Sequence, residues 1–245
     1  MSATITLPAS DVPTCLVCDG PTHAGFAVCF CCSTLVRQLR MPLVPLESVT
    51  GYRLGDVMHR RLRGYKDSPV AEARHGHEVE LGAMVEAWMA ANRARLWERF
   101  RGRWDLVVTV PSSCRPSGSP ADALVSRVPE LARLRSGVLV RGPEETDHLT
   151  ATRRGFVVGP GVDRRWLSHR RVLVFDDSVV TGARAQSAAA ALRLAGAPVV
   201  GVLTVGRVVP GGRLAAGGHP ARPWVCSSGS SPSPNRGPPT TSYWR

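Results

Sequence analysis

The chain has 245 residues, of which 43% are hydrophobic and 20% are charged. This length and apolar content allow one substantial core with a small appended module, and they exclude a chain that is disordered throughout. No apolar run reaches the roughly 18 residues of a membrane-spanning helix. Residues 1–10 also lack the charged start and the long apolar stretch of a secretory signal. We therefore expect a soluble, cytoplasmic protein with no membrane span.

The chain is strongly basic, with 31 Lys and Arg residues against 19 Asp and Glu residues and a formal net charge of +12. Lys66 is the only lysine among the basic residues. GC-rich coding would also produce a bias of this kind, so the net charge is weak support for a nucleic-acid partner. Two basic clusters, at 59–66 and 93–103, remain candidates for a polyanion-binding surface. A solvated helix face explains the second cluster well, because cations near a helix C-terminus complement its dipole.

Five of the seven cysteines lie between residues 15 and 32. Cys15 and Cys18 form one pair with a two-residue gap, and Cys29 and Cys32 form a second, with ten residues between the pairs. Two such pairs can complete a tetrahedral zinc site, and four protein ligands leave no open position for catalysis. We therefore predict a structural zinc that helps the segment to fold, with Cys31 as a spare thiol. Disulfides or free thiols remain the alternative.

Hydrophobic periodicity and turn residues predict a series of alternating elements along the chain. They are helices at 32–39, 77–100, 121–134 and 183–195, and strands at 105–111, 138–140, 172–175 and 199–205. Strands that alternate with helices predict an α/β fold with an open parallel sheet flanked by helices and joined by right-handed crossovers. The predicted organisation is a four-cysteine zinc-binding module, resembling a zinc ribbon, at 13–40, a larger domain at 49–212 and a low-complexity tail at 217–245. The tail is rich in Pro, Gly and Ser and is expected to be disordered.

The segment 172–184 carries the clearest functional signal. Asp176 and Asp177 follow an apolar run, and the polar turn after them contains Thr181 and Gly182. In an open α/β sheet, ligands bind outside the carboxyl ends of the strands. Two carboxylates can accept hydrogen bonds from two vicinal hydroxyls, and a helix N-terminus favours a phosphate. The pattern therefore predicts a cradle for ribose 5-phosphate, with an ordinary strand, turn and capped helix as the alternative.

This segment resembles the phosphoribosyl-pyrophosphate (PRPP) signature of type I phosphoribosyltransferases. Together with the cysteine segment, the residues Tyr65-Lys66-Asp67 and the loop at 110–113, it makes residues 13–208 similar to the ComF-like phosphoribosyltransferases, associated with competence. The resemblance implies a type I phosphoribosyltransferase fold and a transferase that binds PRPP with Mg²⁺. The implied reaction is a glycosyl transfer that moves the phosphoribosyl group to a base or an amine and releases pyrophosphate.

The resemblance also implies roles for individual residues. Asp176 and Asp177 match the acidic pair that holds the ribose hydroxyls at the catalytic centre. The PRPP phosphate loop corresponds to Ser178, Val179, Val180, Thr181, Gly182, Ala183 and Arg184, the pyrophosphate loop to Pro111, Ser112, Ser113 and Arg115, and the flexible cover to Arg141, Thr146, His148, Arg153 and Arg154. Three positions depart from the family pattern. Arg184 stands where Thr or Ser is usual, Val180 where Thr is frequent, and His148 where Gln is frequent.

Two functions of different classes remain open. The leading hypothesis is a Mg²⁺-dependent phosphoribosyltransferase, for which no motif identifies the acceptor. The alternative is a ComF-like accessory protein that does not catalyse. It would sense PRPP or a nucleotide, or assist DNA uptake or repair through a partner. Single-stranded DNA is a possible direct partner, because zinc-cysteine modules and Arg clusters both contact phosphates.

Overall fold

A computed structural model describes residues 13–112 and 119–209 of the chain. Within these ranges the strands are β1 Leu46–Tyr52, β2 Leu106–Thr109, β3 Leu139–Arg141, β4 Phe156–Val158, β5 Val172–Val179 and β6 Val199–Val208. The helices are α1 Phe30–Leu39, α2 Val57–Asp67, α3 Ala71–Ala91, α4 Arg93–Arg99, α5 Pro120–Val125, α6 Pro129–Ala132, α7 Arg164–Ser168 and α8 Ala183–Leu194. The predicted tail at 217–245 and the predicted site residues Ser113 and Arg115 lie outside the described residues.

The predicted α/β class is confirmed. Four strands form a parallel sheet in the order β1, β6, β5, β2, with helices on both faces. The central strand β5 is apolar from its first residue, and its side chains alternate between two cores. Val172 and Val174 belong to one apolar cluster, whereas Leu173 and Phe175 belong to the other. Burial on both faces explains why this strand reads as a continuous apolar run.

The two cores are built from different elements. The first joins the sheet to α8, to the β3–β4 ribbon and to the cysteine-rich segment, because all five of that segment's cysteines lie in this cluster. The second joins the sheet to α2, α3, α4, α5 and α6. The backbone N–H of Leu46, at the start of β1, donates to the carbonyl of Val17 at 2.7 Å. The cysteine-rich segment is therefore packed and hydrogen-bonded against the sheet.

Several predicted elements differ in extent. The helix predicted at 77–100 is two helices, α3 and α4, which meet at Asn92. The helix predicted at 121–134 is also two, α5 and α6. Val128 is extended before Pro129, which begins α6, as expected because a proline disfavours helical geometry in the residue before it.

Other differences concern the strands. The strand predicted at 138–140 is β3, and it pairs antiparallel with β4 in a separate ribbon outside the parallel sheet. The strands β1 and β4 and the helix α2 were not predicted. Strand β5 continues to Val179, so the acidic pair and Ser178 belong to the end of the strand and do not follow it in a loop.

Candidate functional site

The described chain carries a four-cysteine cluster near its N-terminus. The Sγ atoms of Cys15, Cys18, Cys29 and Cys32 all lie within 4.8 Å of one another, and all four residues are buried. The Sγ atoms of Cys18 and Cys29 are 3.7 Å apart. Tetrahedral zinc with Zn–S bonds of about 2.3 Å would place its ligands about 3.8 Å from each other. The cluster therefore fits a metal such as zinc. The four thiols are not joined in disulfides, and Cys31, although buried, lies outside the group.

Charged side chains attach this cluster to the sheet. Arg207, near the end of β6, donates to the carbonyl of Cys18 and to its Sγ atom, the latter at 3.2 Å. Asp19 forms ion pairs at 3.0 Å with both Arg95 and Arg99 of α4. The same arginines pair with Glu47 of β1 at 2.7 and 2.9 Å, and burial raises the pKa of this carboxyl to about 7.

Helix α1 connects the cysteine cluster to the turn between β5 and α8. The helix begins after Cys29, whose Sγ accepts from the backbone N–H of Cys32. Further along α1, Leu35 packs in one apolar cluster with Ala183, the first residue of α8. Gly182 precedes Ala183 with a φ of 90°, and a Cβ atom there would lie 3.2 Å from Leu46 Cδ1. This turn needs glycine for its left-handed backbone and leaves little room for a side chain.

The two predicted catalytic carboxyls are buried at the carboxyl end of β5. Asp176 is 9% exposed and Asp177 is 6% exposed. Burial raises the pKa of both, that of Asp177 to about 7, while the positive charge of Arg184 opposes the shift in both cases. Asp176 Oδ1 accepts from the backbone N–H of Asp177 at 3.0 Å. A buried carboxyl pair with raised pKa values at a strand end is typical of a functional site.

Asp177 is held by three side chains. Its Oδ2 atom accepts from the Tyr65 hydroxyl and lies 2.6 Å from Lys66 Nζ. Its Oδ1 atom accepts from the Ser178 hydroxyl at 3.1 Å. Burial lowers the pKa of Lys66 to about 8. Burial also raises the pKa of Tyr52 to about 12, although a hydrogen bond with Ser178 lowers this pKa.

The predicted phosphate loop and pyrophosphate loop lie next to each other. Arg184, in the first turn of α8, donates to the carbonyl of Pro111, which follows β2. Its guanidinium lies 5.5 Å from the centroid of the Phe156 ring, within range of a cation–π contact. Ser112 follows Pro111 at the same edge. The structure therefore brings together two segments that are 73 residues apart.

The remaining residues of the phosphate loop form a tight turn. Val179 ends β5 and is buried, and Val180 is half-buried. The hydroxyl of Thr181 accepts from the backbone N–H of Ala183 at 3.2 Å and donates to the carbonyl of His148. The turn is thus bonded to the predicted cover segment.

The predicted cover is anchored to two helices. Thr146 is buried, and its hydroxyl lies 3.3 Å from that of Ser187 on α8. Arg153 donates to the carbonyls of Leu39 and Arg40 at the end of α1, at 2.6 and 3.0 Å. The guanidinium of Arg153 therefore caps a helix. Two further predicted cover residues, Arg141 and Arg154, are exposed.

Tyr65 and Lys66 were not predicted to belong to the site. Both lie near the end of α2, 112 and 111 positions before the carboxyl that they contact. No local pattern in the sequence identifies these contacts, because they depend on how α2 packs against the sheet.

No family model and no curated protein matches this chain. Within residues 13–112 and 119–209, no helix combines the length and the apolar character needed to cross a membrane.

Proposed function

We propose that this chain has a type I phosphoribosyltransferase fold and binds PRPP or a related ribose 5-phosphate ligand at the carboxyl end of β5. The proposal rests on one arrangement: a buried acidic pair, Asp176 and Asp177, lies at the end of β5, and the Gly182 turn joins this end to the start of α8. A carboxylate accepts hydrogen bonds from sugar hydroxyls. The N-terminal turn of α8 suits a phosphate, and the N–H of Ala183 in this turn already donates to the Thr181 hydroxyl.

The proposed reaction transfers the phosphoribosyl group to a base or an amine and releases pyrophosphate. Mg²⁺ bound with PRPP would neutralise charge on the departing pyrophosphate, and Asp176 is the carboxylate that would face it. Arg184 contributes positive charge beside the loop after β2, where Pro111 and Ser112 would receive the pyrophosphate. Asp176 would hold the sugar, with Asp177 fixed beside it, so that the acceptor meets the anomeric carbon in one orientation.

A second candidate is a ComF-like protein that binds PRPP or a nucleotide without turnover and acts through a partner in DNA uptake or repair. One contact favours it over the transferase: Arg184, which stands where the resembled family has Thr or Ser, donates to the carbonyl of Pro111 in the predicted pyrophosphate loop. The hydroxyl of Thr181 donates its one hydrogen to the carbonyl of His148 and would have to leave that partner to donate to a phosphate, whereas the guanidinium of Arg184 has further N–H groups. In both candidates the four cysteines hold structural zinc.

A turnover screen separates the two candidates. The full chain is incubated with Mg²⁺ and PRPP against a panel of purine bases, pyrimidine bases and amines, and pyrophosphate release is measured. Release with one acceptor, abolished in Asp176→Asn and retained in Glu86→Gln, supports the transferase. Glu86 is a suitable control because it is an exposed residue of α3. Binding of PRPP without release supports the second candidate, and neither binding nor release contradicts both.

A further inference from the structure

The side chains around Asp177 leave little of its carboxylate to meet a ligand. Oδ2 is shared by Lys66 and Tyr65, and Oδ1 accepts from Ser178. Only 8% of the Asp177 side chain is exposed. A divalent cation that approached Oδ2 directly would have to displace Tyr65 or Lys66, and one that approached Oδ1 would lie beside the Ser178 hydroxyl. The ammonium of Lys66, 2.6 Å from Oδ2, already balances the negative charge of this carboxylate.

Asp176 is placed differently. Its Oδ1 atom accepts from the adjacent backbone N–H, and the positive charges of Arg184 and Lys66 oppose the rise that burial causes in the pKa of its carboxyl. The two neighbouring carboxyls therefore have different hydrogen-bond partners, although the sequence pattern predicts the same role for both.

We propose that Lys66 is the fixed cation of the acidic pair: it holds Asp177 as a positioning carboxylate and leaves Asp176 as the carboxylate that meets the ligand. The pair does not retain a divalent cation of its own, and any Mg²⁺ arrives with the pyrophosphate of the ligand. The part of this inference that concerns the ligand rests on the proposed function. The part that concerns Lys66, Asp177 and the cation does not.

The chemistry of lysine suits this role better than that of arginine. An ammonium is a compact point charge with three donors, whereas a guanidinium is a wide planar fork. Lys66 reaches Asp177 Oδ2 and lies 3.4 Å from the hydroxyl of Ser178, so one nitrogen approaches both neighbours. Its side chain is 27% exposed, so this cation is only partly buried.

The inference is tested by titrating the full chain, with zinc in its four-cysteine cluster, with Mn²⁺ in the absence of any phosphoribosyl ligand. Water proton relaxation measures the bound Mn²⁺. The wild type should show no Mn²⁺ site at the acidic pair. Lys66→Met should create a site that binds Mn²⁺ at least tenfold more tightly than the control variant Arg61→Met does, and Lys66→Met combined with Asp177→Asn should lose it. The control Arg61→Met removes a cation from the exposed side of the same helix and should create no site.

Two results would overturn the inference. The first is tight Mn²⁺ binding by the wild type that Asp177→Asn removes, since Asp177 would then be a metal ligand. The second is a folded Lys66→Met chain that binds Mn²⁺ no better than the control.

The stability of the variants provides an independent measurement if Lys66→Met folds poorly. Removing one member of a buried ion pair leaves an uncompensated charge, so the double variant should have a higher urea midpoint than Lys66→Met alone. A double variant whose losses simply add contradicts the pairing. Because neither measurement uses PRPP, a wild type that fails to bind PRPP would defeat the proposed function and leave this test intact.

Discussion

Replacing Leu35 with Ala tests whether helix α1 supports the turn that leads into α8. Leu35 is 2% exposed and packs in one cluster with Ala183. Its Cδ1 atom lies 4.0 Å from the point that a Cβ atom on Gly182 would occupy. Truncating a leucine that is buried to this extent loses its transfer free energy and leaves a cavity. We therefore expect the free energy of unfolding to fall by about 3 kcal/mol.

Urea unfolding followed by tryptophan fluorescence measures this loss. With a denaturant slope of about 2 kcal/mol per M, the midpoint should fall by about 1.5 M. Val36→Ala is the matched control, because Val36 lies on the same helix and is 37% exposed. It should change stability by less than about 1 kcal/mol. A midpoint for Leu35→Ala equal to that of the control would refute the packing argument. If Leu35→Ala also leaves PRPP affinity unchanged, α1 does not support the ligand site.

Three further predictions concern the metal, the pH dependence and Arg184. Freshly reduced protein should contain about one zinc per chain, and Cys15→Ser should lose it and loosen the cysteine-rich segment, because structural zinc stabilises the module that it closes; elemental analysis that finds no metal in the untreated protein contradicts this. Burial raises the pKa of Asp177 to about 7, so the stability that Asp177 contributes is present below about pH 4 and is lost as the pH rises through 7. Burial lowers the pKa of Lys66 to about 8, so the stability that Lys66 contributes is present above about pH 10.5 and is lost as the pH falls through 8. The stability of the wild type relative to the Lys66→Met, Asp177→Asn double variant should therefore be lowest between about pH 7 and 8 and should rise as the pH falls from 7 towards 4, whereas a flat difference in urea unfolding would contradict the cost of burying these two charges. Arg184→Ala should lower the free energy of unfolding by about 1 to 2 kcal/mol, because the carbonyl of Pro111 loses a charged donor. Arg184→Lys should recover part of this loss. Equal urea midpoints for the wild type and the two variants would exclude the contact.

The sequence predicted the central strands well because their signal is local. Strand β5 begins with four consecutive buried apolar residues, and all four residues of β2 are buried. Strand β1 was not predicted, because Glu47, Ser48 and Gly51 interrupt its apolar pattern. Glu47 is buried there in contact with two arginines of α4. That contact spans about 50 residues and has no local signal.

The candidate site also combines features that were predicted from local sequence with long-range contacts that were not. The four cysteines were predicted to converge because the spacing within each pair is short, and the structure brings their Sγ atoms together. The acidic pair was recognised because it is contiguous with its strand and turn. The contacts of Tyr65 and Lys66 with Asp177 were not predicted, because they depend on how α2 packs against the sheet. The donation from Arg207 to Cys18 joins residues 189 positions apart and is equally non-local.

Calorimetric titration of Mg²⁺ and PRPP into the wild type and into Asp176→Asn tests the central claim most directly. The wild type should bind PRPP, and the variant should bind it at least tenfold more weakly, a difference of roughly 1.4 kcal/mol. An amide offers one acceptor and one competing donor group where the carboxylate offered only acceptors to the ribose hydroxyls. Equal thermal midpoints for the two proteins would show that the variant is folded. Equal affinities, or no binding heat from the wild type, would contradict a phosphoribosyl site at the end of β5.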